Sequence, residues 1–127
     1  MLYEREARGT VADVVAKLEA AAADNQFGVM GTHDQKKRMA AKGVTLGPEC
    51  CVEEVCNPVQ AKAALEANMS ISNAMPCRIS VYQQGDKVKI STIRPTVLLT
   101  MFGNPELAAV AKDVEETMIR IIDAACG

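Results

Sequence analysis

Five cysteines, Cys50, Cys51, Cys56, Cys77 and Cys126, carry most of the reactive potential of this sequence. Two have suggestive surroundings. Cys56 lies in Glu54-Val55-Cys56-Asn57-Pro58, and Cys77 lies in Met75-Pro76-Cys77. Each thiol sits at a strand terminus close to a proline, and Cys56 directly precedes a helix start. Backbone N–H groups at a helix N-terminus stabilise a thiolate and can hold an anion. Cys56 is therefore the candidate nucleophile, and Cys77 its candidate resolving partner. A nucleophilic thiol needs a base. The only histidine is His33, so Cys56, His33 and Glu54 form the candidate catalytic set. The packing reading stands beside it: cysteine is also a small buried hydrophobe that fills a tight strand–helix corner. There is no Cys-x-x-Cys motif to argue for redox chemistry.

Other chemistries find less support. Met30, His33 and the cysteines are the side-chain types that ligate soft metals such as Cu(I) or Zn. Their spacing forms no ligand motif, and the vicinal Cys50-Cys51 is poorly shaped to chelate one ion, so neither a metal site nor a cofactor is assigned. Glu53 and Glu54 fall on opposite faces of a strand and make no acid/base dyad. No glycine-rich phosphate loop is present.

The elements that would position these residues follow from periodicity. Thr10 with Asp13 makes a capping box before a helix whose apolar positions are Val11, Val14, Val15, Leu18 and Ala22. Leu2–Ala7 reads as an edge strand, and Phe27–Thr32 as a strand whose glycines admit a close neighbour. Asp34–Lys42 is a basic surface helix closed by Gly43. Cys50–Cys56 alternates, with Cys50, Val52, Glu54 and Cys56 on one side and Cys51, Glu53 and Val55 on the other. Asn57 caps the next helix, with Pro58 at its first position. Met69–Ala74 is an irregular polar link. Cys77–Tyr82 and Val88–Thr92 alternate about Gln84-Gly85-Asp86 and predict a hairpin with one apolar face. Val97–Phe102 is a short helix, and Asn104-Pro105 starts a long last helix to about Ala125. A one-sided hairpin among helices implies an α+β fold of two layers: an antiparallel or mixed sheet of four to five strands, with helices mainly on one face.

Composition narrows the function classes. The 127 residues suit one domain spanning 1–127, with 49% apolar and 24% charged residues. A net charge of -2 lacks the basic surplus of a nucleic-acid binder. No apolar run is long enough to span a membrane, and no secretory signal opens the sequence. Unpaired cysteines then fit a reducing cytoplasm. Aromatic residues are only 3%, so the core is aliphatic and methionine-filled.

Glu54-Val55-Cys56-Asn57-Pro58, Met75-Pro76-Cys77-Arg78-Ile79, the Val81-Tyr82 strand and Gly103-Asn104-Pro105-Glu106-Leu107 together resemble the bacterial and archaeal domain-of-unknown-function family numbered 302. The resemblance extends from the Thr10 helix to the C-terminal helix. Cys56, Asn57, Pro58, Pro76 and Cys77 match signature positions. It implies a compact two-layer α+β domain, often dimeric, with no settled activity. Cys50-Cys51 and Glu53 depart from the pattern, which usually has an apolar residue at position 53. The expectation is a non-catalytic homodimer that holds a small ligand where Cys56, Asn57, Cys77 and Arg78, with His33 less directly, border a cleft. The apolar surface of the last helix and of Val97–Phe102 argues for the dimer. A thiol-dependent redox or sulfur-transfer protein using Cys56 with Cys77 is the alternative, and soft-metal binding is a third. A shared cleft requires the Cys50–Cys56 and Cys77–Tyr82 strands to be antiparallel neighbours.

Overall fold

Cys77–Gln84 and Lys87–Ile93 form the hairpin that their alternation predicts; they are β4 and β5. Gly85 takes φ +65 in the turn, a conformation that favours glycine. The computed structural model describes all 127 residues. The other strands are β1 (Leu2–Ala7), β2 (Gly28–Asp34) and β3 (Cys50–Cys56), and the sheet order is β1-β5-β4-β3-β2. Every neighbouring pair is antiparallel.

Helices α1 (Val11–Asp24) and α5 (Leu107–Cys126) cover one face of this sheet. Thr10 and Asp13 form the expected reciprocal capping box. The core between the layers joins Val14, Leu18, Met118, Ile121 and Ile122 to Val55, Ile79, Val81 and Ile90. Each such aliphatic side chain contributes about 1.5–3 kcal/mol by leaving water. Arg5 of β1 ties the edge strand to α5 by an ion pair with Asp123 at 2.7 Å. The opposite face carries Glu4, Lys89 and Tyr82, which pair with one another across β1, β5 and β4.

Helices α3 (Pro58–Ala67) and α4 (Pro95–Thr100) build a second, smaller core. There Ala64, Leu99, Leu107 and Ala111 close over Ile71, which lies in a 3-10 turn over Met69–Asn73. Helix α2 (Gln35–Ala41), capped by Asp34, buries no side chain.

Some boundaries differ from those read in the sequence. β2 runs on to Asp34 and carries a bulge at Met30. The link at Met69–Ala74 is ordered because Ile71 is fully buried. α4 starts at Pro95, since proline suits a first helical turn. α5 starts at Leu107, and Asn104 does not cap it; its Oδ1 instead accepts a hydrogen bond from Asn68 Nδ2 at 2.9 Å. The apolar stripe of α5 is consumed inside the chain, at Leu107, Ala111, Val114, Met118, Ile121 and Ile122. Only Val110 of that stripe stays half-buried, and the apolar side chains still exposed at α4 are Val97 and, just past its end, Met101.

Candidate functional site

The antiparallel pairing of β3 with β4 brings the two candidate thiols to one end of the sheet. Val55 is the register partner of Cys77, so Cys56 stands one residue away. Alternation then decides what they share. Cys77 points with Val55 and Ile79 toward the helices, whereas Cys56 points with Glu54 toward the other face. They line two different cavities. One, of about 240 Å³, is walled by Cys77, Arg78, Thr92 and Leu98. The other, of about 320 Å³, has Met30 and Cys56 on the sheet side and Pro58, Ala61 and Leu65 on α3. Met75 and Pro76 line both and form the partition between them. Ser72 is the only polar side chain of the second cavity apart from the thiol.

The helix terminus beside Cys56 has no donors to spare. Asn57 Oδ1 accepts from the N–H groups of Val59 and Gln60, at 3.0 and 3.1 Å. Ala61 N–H donates to the Asn57 carbonyl, and Pro58 has no N–H. The four amides that could have stabilised a thiolate are thus absent or occupied. Asn57 lines neither cavity; its amide donates to the Gln26 carbonyl at 3.2 Å and fixes the turn into β2. Burial alone pushes the Cys56 thiol up. Burial, reinforced by the charge of a Cys56 thiolate, pushes Cys77 up to about 11. Both shifts run opposite to what nucleophilic activation needs.

His33 is committed elsewhere. Its Nε2 meets Glu54 Oε1 at 2.6 Å, and Arg78 Nε lies 3.8 Å from Glu54 Oε2. The hydrogen bond from His33 holds the Glu54 carboxyl below its usual range, so Glu54 is ionised and Nε2 is the donor. Gly31 makes room for this pair: a Cβ there would stand 2.9 Å from Glu54 Oε1. His33 is the register partner of Val52, four residues from Cys56 and so about 13 Å along the strand. Of the candidate set, Glu54 thus pairs with His33, and Cys56 belongs to a separate cavity. Arg78, the register partner of Glu54, is 73% exposed and lines the Cys77 cavity.

One acid that the sequence marks as a departure from the family pattern is buried in the structure. Glu53 points into the helix-covered core and is 0% exposed. Thr32 donates to its Oε2 at 2.9 Å, and the Cys51 thiol lies 3.9 Å from Oε1. Burial raises the Glu53 carboxyl, against the opposing hydrogen bond from Thr32. Burial also pushes Cys51 up to about 11, with Glu53 adding to it. The signal was the alternation of β3, which groups Glu53 with Val55; what was missing was which face the helices cover. No three His, Cys, Asp or Glu side chains converge on a point where a metal ion could bind.

The sequence matches the profile described as "Domain of unknown function DUF302" over residues 3–125. The chain belongs to the DUF302 family. A solved relative is the uncharacterized conserved DUF302 protein from Bacillus stearothermophilus, known from a crystal structure. It is 27% identical, covers 99% of this chain and 98% of its own, and superposes with a TM-score of 0.92. The DUF302 chain thus shares that protein's fold from end to end. No curated protein matches it. No helix of this DUF302 protein is long and apolar enough to cross a membrane.

Proposed function

We propose that this chain is a non-catalytic, homodimeric binding domain of the cytoplasm, which holds a small ligand at the end of β3 and β4. The carrying observation is the apolar cleft of about 320 Å³ that Cys56 shares with α3 and Met75. It has the composition and, at the lower end, the size of a small-molecule site. The Cys56 side supplies the binding wall, Asn57 holds α3 in place as the other wall, and Cys77 and Arg78 border the adjoining cavity. The protonated thiols and the filled helix N-terminus support binding over catalysis. The five free thiols fit a reducing compartment.

The dimer rests on other residues. Leu2 and Ile93 are cross-strand partners on the open face, 48% and 43% exposed. A second copy covering them would remove apolar surface from water. Light scattering tests this directly: a dimeric mass is expected for the wild type and a monomeric mass for Leu2→Lys/Ile93→Lys, while a monomeric wild type at high concentration overturns it.

The cleft is tested by titrating small apolar molecules such as toluene and following backbone amide shifts. Saturable shifts are expected at Cys56, Ala61 and Met75, and Ala61→Phe should abolish them by filling the space. Shifts confined to other regions, or unaffected by Ala61→Phe, would remove the basis for this reading.

A further inference from the structure

Three sulfur-bearing side chains line the cleft, and they reach it from three different elements. Cys56 ends β3, Met75 lies in the loop before β4, and Met30 comes from β2. Met30 is there because of a bulge. Val29 pairs with Val55 and Gly31 pairs with Glu54, so Met30 is the extra residue between them. A bulge re-aims a side chain out of the ordinary alternation. Met30 remains 66% exposed and takes no part in either hydrophobic core. Its neighbour Gly28, the register partner of Cys56, adds no side chain over the thiol. A long, flexible thioether is thus brought to the rim of a cavity that already holds a thiol and a second thioether.

We infer that Met30, Cys56 and Met75 form a binding site for a soft monovalent cation of the Cu(I) class. Thiolate and thioether are the ligands that select such ions. The charge balance points to a monovalent ion. No carboxylate, imidazole or cationic side chain lines the cleft, so the only negative charge available is one Cys56 thiolate. One thiolate neutralises one monovalent cation, and the complex can sit in an apolar wall. A divalent ion would keep an uncompensated charge there, which burial penalises. Binding forms a metal–sulfur bond at Cys56 and releases the thiol proton to solvent, and no electron is transferred. Because the thiol must give up its proton to bind, uptake is favoured as pH rises. The inference rests on the cleft being the binding site proposed above, and it names the ligand class.

The test is anaerobic competition for Cu(I) against a chromophoric bidentate chelator, with the full-length protein. The wild type should take one Cu(I) at its tightest site, and Cys56→Ala should lose it. Met30→Leu/Met75→Leu keeps volume and the thiol. Losing a ligand costs no less than losing an outer-shell partner, so its affinity should drop on the order of 10–100-fold. Zn(II) should not compete. Affinity unchanged in the double methionine variant, or retained in Cys56→Ala because another cysteine holds the ion, overturns the proposal. Thermal unfolding of each variant separates lost binding from lost fold. If toluene-class molecules occupy the cleft and Cu(I) does not, the cleft reading stands and the metal site fails. If Cu(I) binds through the methionines and no apolar molecule enters, the metal site stands and the broader small-molecule reading fails.

Discussion

Cys77 faces Val55 across β3 and β4, and this pairing places Cys56 and Cys77 on opposite faces of the sheet although they share its end. The thiols line two cavities, with Met75 and Pro76 between them. A disulfide-forming pair must bring its sulfurs into bonding geometry, and side chains leaving opposite faces do not. This arrangement favours two packing and binding thiols over a nucleophile with its resolving partner.

Cys77 is half-buried and packs against the main core. Its serine variant places a half-buried hydroxyl beside Met75 and Leu98, and should lose about 1 kcal/mol of stability, the low end of the cost of an unsatisfied buried hydroxyl. Cys77→Ala should lose less. Urea denaturation of the two variants measures the order; serine tolerated better than alanine would contradict it.

Asn57 is the organiser of the α3 wall. It caps two amides and reaches back to the Gln26 carbonyl. Asn57→Ala should cost about 1–2 kcal/mol in denaturant unfolding. Asn57→Asp keeps the cap and should recover most of that loss, which a role confined to the Gln26 contact would not allow.

Glu53 makes stability depend on pH in an unusual direction for a carboxylate. Its folded-state value is raised, mainly by burial. The folded chain therefore binds the proton more tightly than the unfolded chain. The stabilisation is complete below the unfolded value near 4.5 and is lost as pH rises through the higher folded value. Glu53→Gln removes the ionisation and keeps an acceptor for Thr32. It should flatten the fall in melting temperature across that window and leave the neutral-pH stability equal or higher. A steeper fall in the variant would count against a buried, proton-binding Glu53.

Gly31 controls the His33–Glu54 pair. In Gly31→Ala the new Cβ meets Glu54 Oε1, the movable end of a flexible side chain, so the fold should survive and the pair should part. Glu54 is held below its usual range chiefly by the His33 hydrogen bond. The stability this pair adds is present above the unfolded carboxylate value and is lost as pH falls through the lower folded value. Carbon-13 titration of the Glu54 carboxyl should therefore move to higher pH in Gly31→Ala, and an unchanged titration would show that the pair does not depend on the glycine.

Much of this architecture is legible from local chemistry. The Thr10–Asp13 capping box, the Asp34 cap, Asn57-Pro58 and the Gly85 hairpin are short-range signals, and each appears in the structure as read. Asn104-Pro105 has the local form of a helix cap, but the Asn104 side chain is taken by Asn68, 36 residues away, and α5 starts at Leu107. The site was only partly legible. Alternation placed Cys56 and Cys77 on their strands, but whether they share a face depends on register, a long-range property. The Met30 bulge has no sequence signature beyond its flanking glycines, so its arrival at the Cys56 cleft could not be read from spacing. Glu53 required knowing which face the helices cover.

We propose that Cys56 is a protonated wall of a binding cleft. Its alkylation by iodoacetamide, followed residue by residue by mass spectrometry across a pH series, tests that claim most directly. The account predicts a rate at neutral pH below that of a free cysteine peptide and still rising above pH ~8.5, the value of an unperturbed thiol. A rate at neutral pH above the free peptide's, with a plateau below that value, would make Cys56 an activated nucleophile and contradict the account.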